Sequence, residues 1–348
     1  MKYGIKTIGC LFLMGSLFAC KRQPAASSAT ADKQHTIAFY NLENLFDTTD
    51  DPAIQDEEYL PESELEWDNL KYNAKLLNLS SVIEKLGDEN GPELLGVCEV
   101  ENKKVLEDLA ATPALYNHQY DIVHYDSPDR RGIDVALLYK KNIFKPLQHR
   151  SLRVSFPDPE MLSRDMLLVK GMLAGDTVFV FVNHWPSRRG GAEASEINRV
   201  TVAKVLRHNV DSLLSLNPKS NIIIMGDFND EPSDVSISQT LKAVKQPEGA
   251  TTGSLFNAFA EIQEQNRGSY MYRGQYDMID QIIMSQALLN NGKSLQHVPG
   301  SASIFMPERI QETDPKYKGA PLRTFAGKKY LGGFSDHFPV YIHVRVNK

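Results

Sequence analysis

Three cysteines are too few, and too badly placed, to hold this chain together by disulfides. Cys10 and Cys20 fall in a leader-like segment, so Cys98 stands alone in the remainder and no disulfide forms within it. Stability there has to come from a core. A basic excess is missing as well. The formal net charge of −6 argues against a protein that coats a polyanion, and leaves open an enzyme that holds phosphates locally. The HExxH and paired-cysteine spacings of zinc sites are absent, as is a Walker-type phosphate loop. No internal repeat, coiled coil or compositional break divides residues 35–348, which are long enough for one large α/β domain.

The apolar run 8–18 is too short to span a bilayer and follows Lys2 and Lys6, the pattern of an export signal. It ends Leu17-Phe18-Ala19-Cys20, which resembles the lipobox of bacterial lipoproteins. The resemblance implies a signal peptide over 1–19, lipidation of Cys20, and a small, polar, flexible tether over 20–34. It implies a protein of the cell envelope, anchored to a bacterial membrane on its periplasmic or surface face and touching the membrane only through that anchor.

Strand patterns run over 36–40, 94–97, 133–139, 166–173, 178–182, 222–225, 278–284 and 340–346. Helical patterns run over 69–86, 103–109 and 192–214. Several strands follow one another with no helix between, so mixed sheets covered by helices are expected rather than a doubly wound parallel sheet.

The polar residues cluster where these runs end. In NIIIMGDFN, three isoleucines and a methionine lead into Asp227 and Asn229. On an extended backbone residues two apart share a face, so a carboxylate and a carboxamide would leave the strand end together. Asn41 and Glu43 repeat the spacing after 36–40, and Glu99 and Glu101 repeat it after 94–97. His184 follows 178–182 beside Asn183 and the Arg188-Arg189 pair, and Asp336-His337 precede 340–346. This inventory holds hard oxygen donors for Mg²⁺, Mn²⁺ or Ca²⁺, and imidazoles that exchange protons near neutral pH. Such a set suits phosphoryl transfer to water, with a metal offsetting charge on the phosphate.

The ordered set NLEN, CEVEN, VNHWP, GDFN, YDMIDQIIMS and SDHFPV resembles the endonuclease/exonuclease/phosphatase superfamily. That superfamily includes DNase I-like and apurinic endonucleases, sphingomyelinases and inositol-polyphosphate phosphatases. The resemblance implies a four-layer α/β sandwich, two mixed β-sheets packed face to face with helices on the outer sides. It implies Asn41 and Glu99 as metal-side residues, with Glu43 assisting and Asp336 beside them. Asp227 is implied as the acid that handles water, Asn229 as a phosphate contact, His184 and His337 as phosphate-side histidines, and Asp280 as an acid ordering the last histidine. Arg164, Arg131 and Arg188 are candidate phosphate contacts. The Cys98-Glu99 pair departs from the commoner Gln-Glu of the family.

The implied activity is divalent-metal-dependent hydrolysis of phosphate esters, with Mg²⁺ first and Mn²⁺ or Ca²⁺ as alternatives. Nucleic acid is favoured over phospholipid or inositol phosphate; KYKGAPLRTFAGKKY at 316–330 interleaves basic and aromatic residues, a pattern that suits a nucleic-acid strand or a plain solvated loop and does not decide the substrate. The acidic insert 50–68 reads as a surface loop leading into the first helix. Sphingomyelinase-like or inositol-phosphate hydrolysis is the alternative within enzymes, and a non-catalytic surface lipoprotein that binds its target is the alternative of another class. No protein partner is implied.

Overall fold

Every residue of the strand β8 (Asn221–Asp227) is buried, and successive side chains enter different cores, Ile223 and Met225 one, Ile222 and Ile224 the other. A strand apolar on both faces belongs between two layers. The computed structural model describes residues 1–4, 34–87, 90–246, 253–289 and 295–346; residues 5–33, with most of the leader and tether and with Cys20, lie outside them. The chain divides into two units, 1–31 and 32–348, and the elements below all belong to the second.

The first sheet contains β1 (Gln34–Leu45), β2 (Leu94–Val100), β3 (Tyr120–His124), β4 (Asp134–Lys140) and the strand Val340–Val346. Its order runs Leu295–His297, Val340–Val346, β1, β2, β4, β3, with Ser303–Ile304 also pairing onto Val340–Val346. The second sheet has the order β5 (Phe144–Leu152), β6 (Met166–Leu173), β7 (Asp176–His184), β8, Asp280–Ser285, Leu255–Asn257, Ala243–Val244. Both are mixed. The pairs β1–β2 and β7–β8 are parallel and most other pairs are antiparallel.

Helices close the outer faces. Leu76, Leu79, Val82 and Ile83 of α1 (Asn69–Ile83) and Val105, Leu106 and Leu109 of α2 (Lys103–Ala110) belong to the same core as β1 and β2. Val202, Ala203, Leu206 and Val210 of α3 (Ala192–Leu216) pack with Phe181, Ile222 and Ile224. The result is the four-layer α/β sandwich. Among the described residues no helix is long and apolar enough to cross a membrane.

The sheets meet closely. A Cβ on Gly96 of β2 would lie 2.4 Å from Met225 Sδ of β8, so glycine lets Met225 fill the space between the layers. The sequence patterns missed β3 and β5, whose outward faces carry Asp121, Lys145, Gln148 and Arg150, so that polarity masks the strands.

Strand direction decides where chemistry collects. The carboxyl ends of β1, β2, β7 and β8 share one edge with the amino ends of their antiparallel neighbours. There Asp280 pairs with Asp227, and Val340 pairs with Phe39, placing Asp336 and His337 just before the last strand.

Candidate active site

Four strand ends bend into this edge. Against β2, β1 shifts register between Asn41 and Leu45, where Glu43 and Asn44 take left-handed φ values of 49° and 50°. The Glu43 amide donates to Asn41 Oδ1 (2.9 Å), which orients the carboxamide. Its Nδ2 then donates to Asp227 Oδ2 (3.1 Å) and, more weakly, to Glu99 Oε1 (3.4 Å). Asn41 thus links two carboxylates through its amide hydrogens, while Oδ1, the atom that would face a cation, accepts one hydrogen bond and keeps a second lone pair. Ser335 Oγ donates to the Asn41 carbonyl (2.7 Å), tying the last strand's approach to β1.

β2 is bulged between Cys98 and Val100, and Glu99 adopts φ 57°. Glu99 and Glu101 therefore do not share an extended face, contrary to the i, i+2 expectation. Glu99 Oε2 accepts from the Asn44 amide (3.1 Å), whereas Glu101 turns away to cap the Asp47 amide (2.7 Å). The same correction applies after β8, where Asn229 is left-handed (φ 50°). Its amide donates to Asp227 Oδ1 (2.9 Å) and its Nδ2 donates to the Trp185 carbonyl (3.0 Å). Asn229 thus fixes Asp227 and joins the ends of β7 and β8, with only part of its carboxamide left for a phosphate. A Cβ on Gly226 would lie 2.5 Å from the Asn183 carbonyl, so that strand needs glycine just before the acid.

Asp227 is the hub. His184 Nε2 lies 3.7 Å from Asp227 Oδ2 and 3.8 Å from Glu99 Oε1, and His337 Nε2 lies 3.8 Å from Asp227 Oδ2. His337 Nδ1 is 2.6 Å from Asp280 Oδ2, which also accepts from Ser269 Oγ (2.5 Å). Tyr270 lies against the His337 ring at 4.9 Å.

The two histidines carry opposite electrostatics. Burial, then the charges of Arg164 and Arg131, hold His184 well below the usual imidazole range, so it is neutral. Burial would lower His337 too, but the surrounding carboxylates of Asp280, Asp227 and Asp336 hold it well above that range, so it is a cation. Burial and the neighbouring charge of Asp280 push Asp227 up to about 7.

The arginines divide. Arg164 is buried, with Nη1 donating to Asp129 (3.1 Å) and Nη2 to the Trp185 carbonyl (2.6 Å). Those two bonds position the guanidinium, whose Nε has no partner among the described residues, and place its charge beside the site. Arg188 binds the Asn229 carbonyl and Asp234, bracing the loop after β8. Arg131 is half exposed beside Asp129 and within electrostatic reach of His184.

Sequence reasoning missed the supports. Lys75 is buried and donates to the Glu43 carbonyl (2.8 Å) and Thr324 Oγ1 (2.6 Å), with Glu43 Oε2 at 3.4 Å. Glu43 Oε2 also accepts from the Thr324 amide and hydroxyl, both at 2.7 Å. Glu43 is thereby a brace for the 324 loop. The signal was there to find: a lysine in line with the buried stripe Tyr72, Leu76, Leu79 of α1. Arg323 pairs with Asp336 Oδ2 (3.3 Å). The acidic insert is not only a surface loop. Glu58, Tyr59, Leu65 and Trp67 line a cavity of about 190 Å³ with Glu43, Asp336 and Arg323.

A hard divalent cation fits this donor set. Glu43, Glu99, Asp227, Asp280 and Asp336 crowd one edge, answered there by Lys75, Arg323 and His337. Burial and the Glu43 charge raise Asp336, as burial and Asp280 raise Asp227, so the acids oppose one another's ionisation. Added positive charge relieves that repulsion. Glu99 would offer such an ion a carboxylate beside Asp227, the two acids sharing the Asn41 carboxamide.

The profile of the Endonuclease/Exonuclease/phosphatase family matches residues 36–346. No curated protein matches the chain by sequence. Among solved structures, D. rerio TDP2 complexed with a single-strand DNA product superposes with TM-score 0.55 at 14% identity, over 90% of this chain and 100% of that one. An endonuclease/exonuclease/phosphatase family protein from Bacteroides thetaiotaomicron gives 0.56 at 16% identity, over 91% and 99%. The human Nocturnin catalytic domain with bound sulfate gives 0.54 at 16%, over 91% and 96%. At these identities the likeness is one of fold. With the profile spanning nearly all of 35–348 and both sheets carrying their polar clusters to one edge, the chain belongs to the Endonuclease/Exonuclease/phosphatase family.

Proposed function

We propose that the chain is a divalent-metal-dependent phosphodiesterase acting on nucleic acid. The observation that carries the chemistry is the shared approach of neutral His184 and cationic His337 to one carboxylate, Asp227, at 3.7 and 3.8 Å. One group there accepts a proton, one donates a neutral hydrogen bond, and one carries fixed positive charge.

A phosphate seated over this edge meets each in turn. Asp227, pinned by Asn41 and by the Asn229 amide, orients a water for in-line attack and takes its proton as the water oxygen bonds to phosphorus. The bond from phosphorus to the leaving oxygen breaks in the same displacement. His337, oriented by Asp280, faces the negative charge that builds on the phosphoryl oxygens. His184 donates a ring N–H to another of those oxygens. A Mg²⁺ ion held at Glu99 would supply charge neutralisation at a non-bridging oxygen.

Support for nucleic acid comes from the rim, where Arg323 stands near the Tyr270 ring and lines the cavity with Tyr59. Bases stack on such rings while cations track the backbone. The single-strand DNA product bound to D. rerio TDP2 shows a nucleic acid on a protein of this shape. Membrane attachment through lipidated Cys20 belongs to the same proposal. Cys20→Ser should move the protein from the membrane to the soluble fraction, and unchanged fractionation refutes the anchor.

Purified protein should cleave single- or double-stranded DNA or RNA with Mg²⁺, Mn²⁺ or Ca²⁺ and stop in EDTA. Turnover of sphingomyelin or inositol phosphates alone would overturn the nucleic-acid reading and keep the hydrolase. Metal binding without turnover of any phosphoester would overturn the hydrolase.

A further inference from the structure

One side chain in this edge has no part in the hydrolysis just described. Cys98 is fully buried at the end of β2, immediately before Glu99. It is the register partner of Asn41 on the adjacent parallel strand, so both side chains leave the same face, and Asn41 reaches Asp227 there. Donor atoms of Cys98, His184 and Asp227 all lie within 4.8 Å of one another. His184 is itself buried, and its Nε2 faces Asp227 Oδ2 at 3.7 Å, near the separation of two ligands on one ion and too far for a hydrogen bond.

We propose that Cys98, His184 and Asp227 form a site for a thiophilic divalent cation, zinc in kind, which overlaps the hydrolytic centre and shuts it off. The donor set is one sulfur, one imidazole nitrogen and one carboxylate oxygen. Sulfur and imidazole select zinc-like ions, whereas the surrounding carboxylates select magnesium-like ones. Two ligands of one tetrahedral zinc ion lie roughly 3.5 Å apart, so the three side chains converge by about an ångström on binding. The step needs no oxidant. A zinc–sulfur bond forms, the S–H bond breaks, and its proton passes to solvent.

The inhibitory half rests on the proposed function, because Asp227 and His184 serve both ions. Zinc held by Asp227 denies that carboxylate to the attacking water, and zinc held by His184 takes away a phosphate donor. The same edge would therefore respond in opposite senses to two metals, activated by a hard cation on its acids and silenced by a soft one on Cys98.

Cobalt tests the site without any substrate. Co²⁺ added to the full chain should give a thiolate-to-cobalt charge-transfer band in the near ultraviolet. Cys98→Ala and Cys98→Ser should both lose it, while Cys10→Ser with Cys20→Ser should keep it. By calorimetry, zinc should bind the Cys98 variants at least tenfold more weakly. With Mg²⁺ present, both variants should retain turnover, and the zinc concentration that halves it should rise at least tenfold. The site is overturned if the wild type shows no thiolate band, if the band survives loss of Cys98, or if zinc affinity does not change. If no phosphoester is turned over, the proposed function fails, yet the cobalt band and the zinc affinities still decide this site.

Discussion

His337 holds Nδ1 2.6 Å from Asp280 Oδ2, and the pair is buried at the point where the two sheets end. Asp280 sits opposite Asp227 in the strand register, so its carboxylate is anchored by the ladder itself. It fixes which ring nitrogen of His337 faces the reaction and maintains the positive charge on the ring. Asp280→Asn keeps the shape and removes the charge. Turnover should fall by about 10² to 10⁴ in kcat with KM nearly unchanged, because the loss is of orientation and charge rather than of substrate contacts. Steady-state kinetics on a nucleic-acid substrate measures this. A loss of less than about tenfold would mean that His337 does not depend on Asp280.

Asp227 is where stability and activity pull apart. It is buried, and both burial and the Asp280 charge oppose its ionisation. Asp227→Asn removes that repulsion and gives up one accepted hydrogen bond from Asn41. A lost buried hydrogen bond costs about 1–2 kcal/mol, less than the charge burial it relieves. In metal-free protein at pH 8 the variant should therefore be more stable by about 2 kcal/mol in denaturant titration. Turnover should drop by at least about 10³. A variant both active and no more stable would remove Asp227 from the centre.

Much of this was legible in the sequence because each polar cluster interrupts an apolar strand. The runs 166–173 and 340–346 match Met166–Leu173 and Val340–Val346 end to end. Strand direction then carries Glu99, His184, Asp227, Asp280 and His337 to one edge, which no single motif states. What the sequence hid is local backbone. The bulge at Glu99 and the left-handed Asn229 break the two-residue alternation, so Glu101 points elsewhere and Asn229 braces Asp227. Neither position is glycine, the residue that would have flagged a positive φ. Long-range partners were equally hidden. The Lys75–Thr324 contact joins residues 249 apart, and only the tertiary fold brings α1 to the 324 loop.

Lys75 should prove as necessary to folding as a core residue. Its ammonium is buried against Glu43 and Thr324, and burial lowers its pKa. Lys75→Met leaves the Glu43 carboxylate without its buried cation, so it should cost about 3–5 kcal/mol of stability. Adding Glu43→Gln should recover part of that, because the stranded charge is then gone. Denaturant unfolding of the two variants tests the coupling. Equal stabilities for single and double variant would show that Glu43 bears no stranded charge.

Away from the catalytic edge, His297 should set the acid limit of the fold. Burial and the neighbouring His343 lower it from 6.5 to about 4. Its ring packs against Phe256 and lies 3.3 Å from Ser301 Oγ. The native state keeps this imidazole neutral, while the unfolded chain takes up a proton once pH falls through 6.5. Stability is thus fully present above about pH 6.5 and is lost as pH drops toward 4. Between pH 7.5 and pH 5 the loss from this one residue should be about 2 kcal/mol. His297→Gln has no proton to gain, so its stability should decline by about 2 kcal/mol less than the wild type over that interval. Urea titrations of both proteins at the two pH values make the comparison, and parallel declines would show that another group governs acid unfolding.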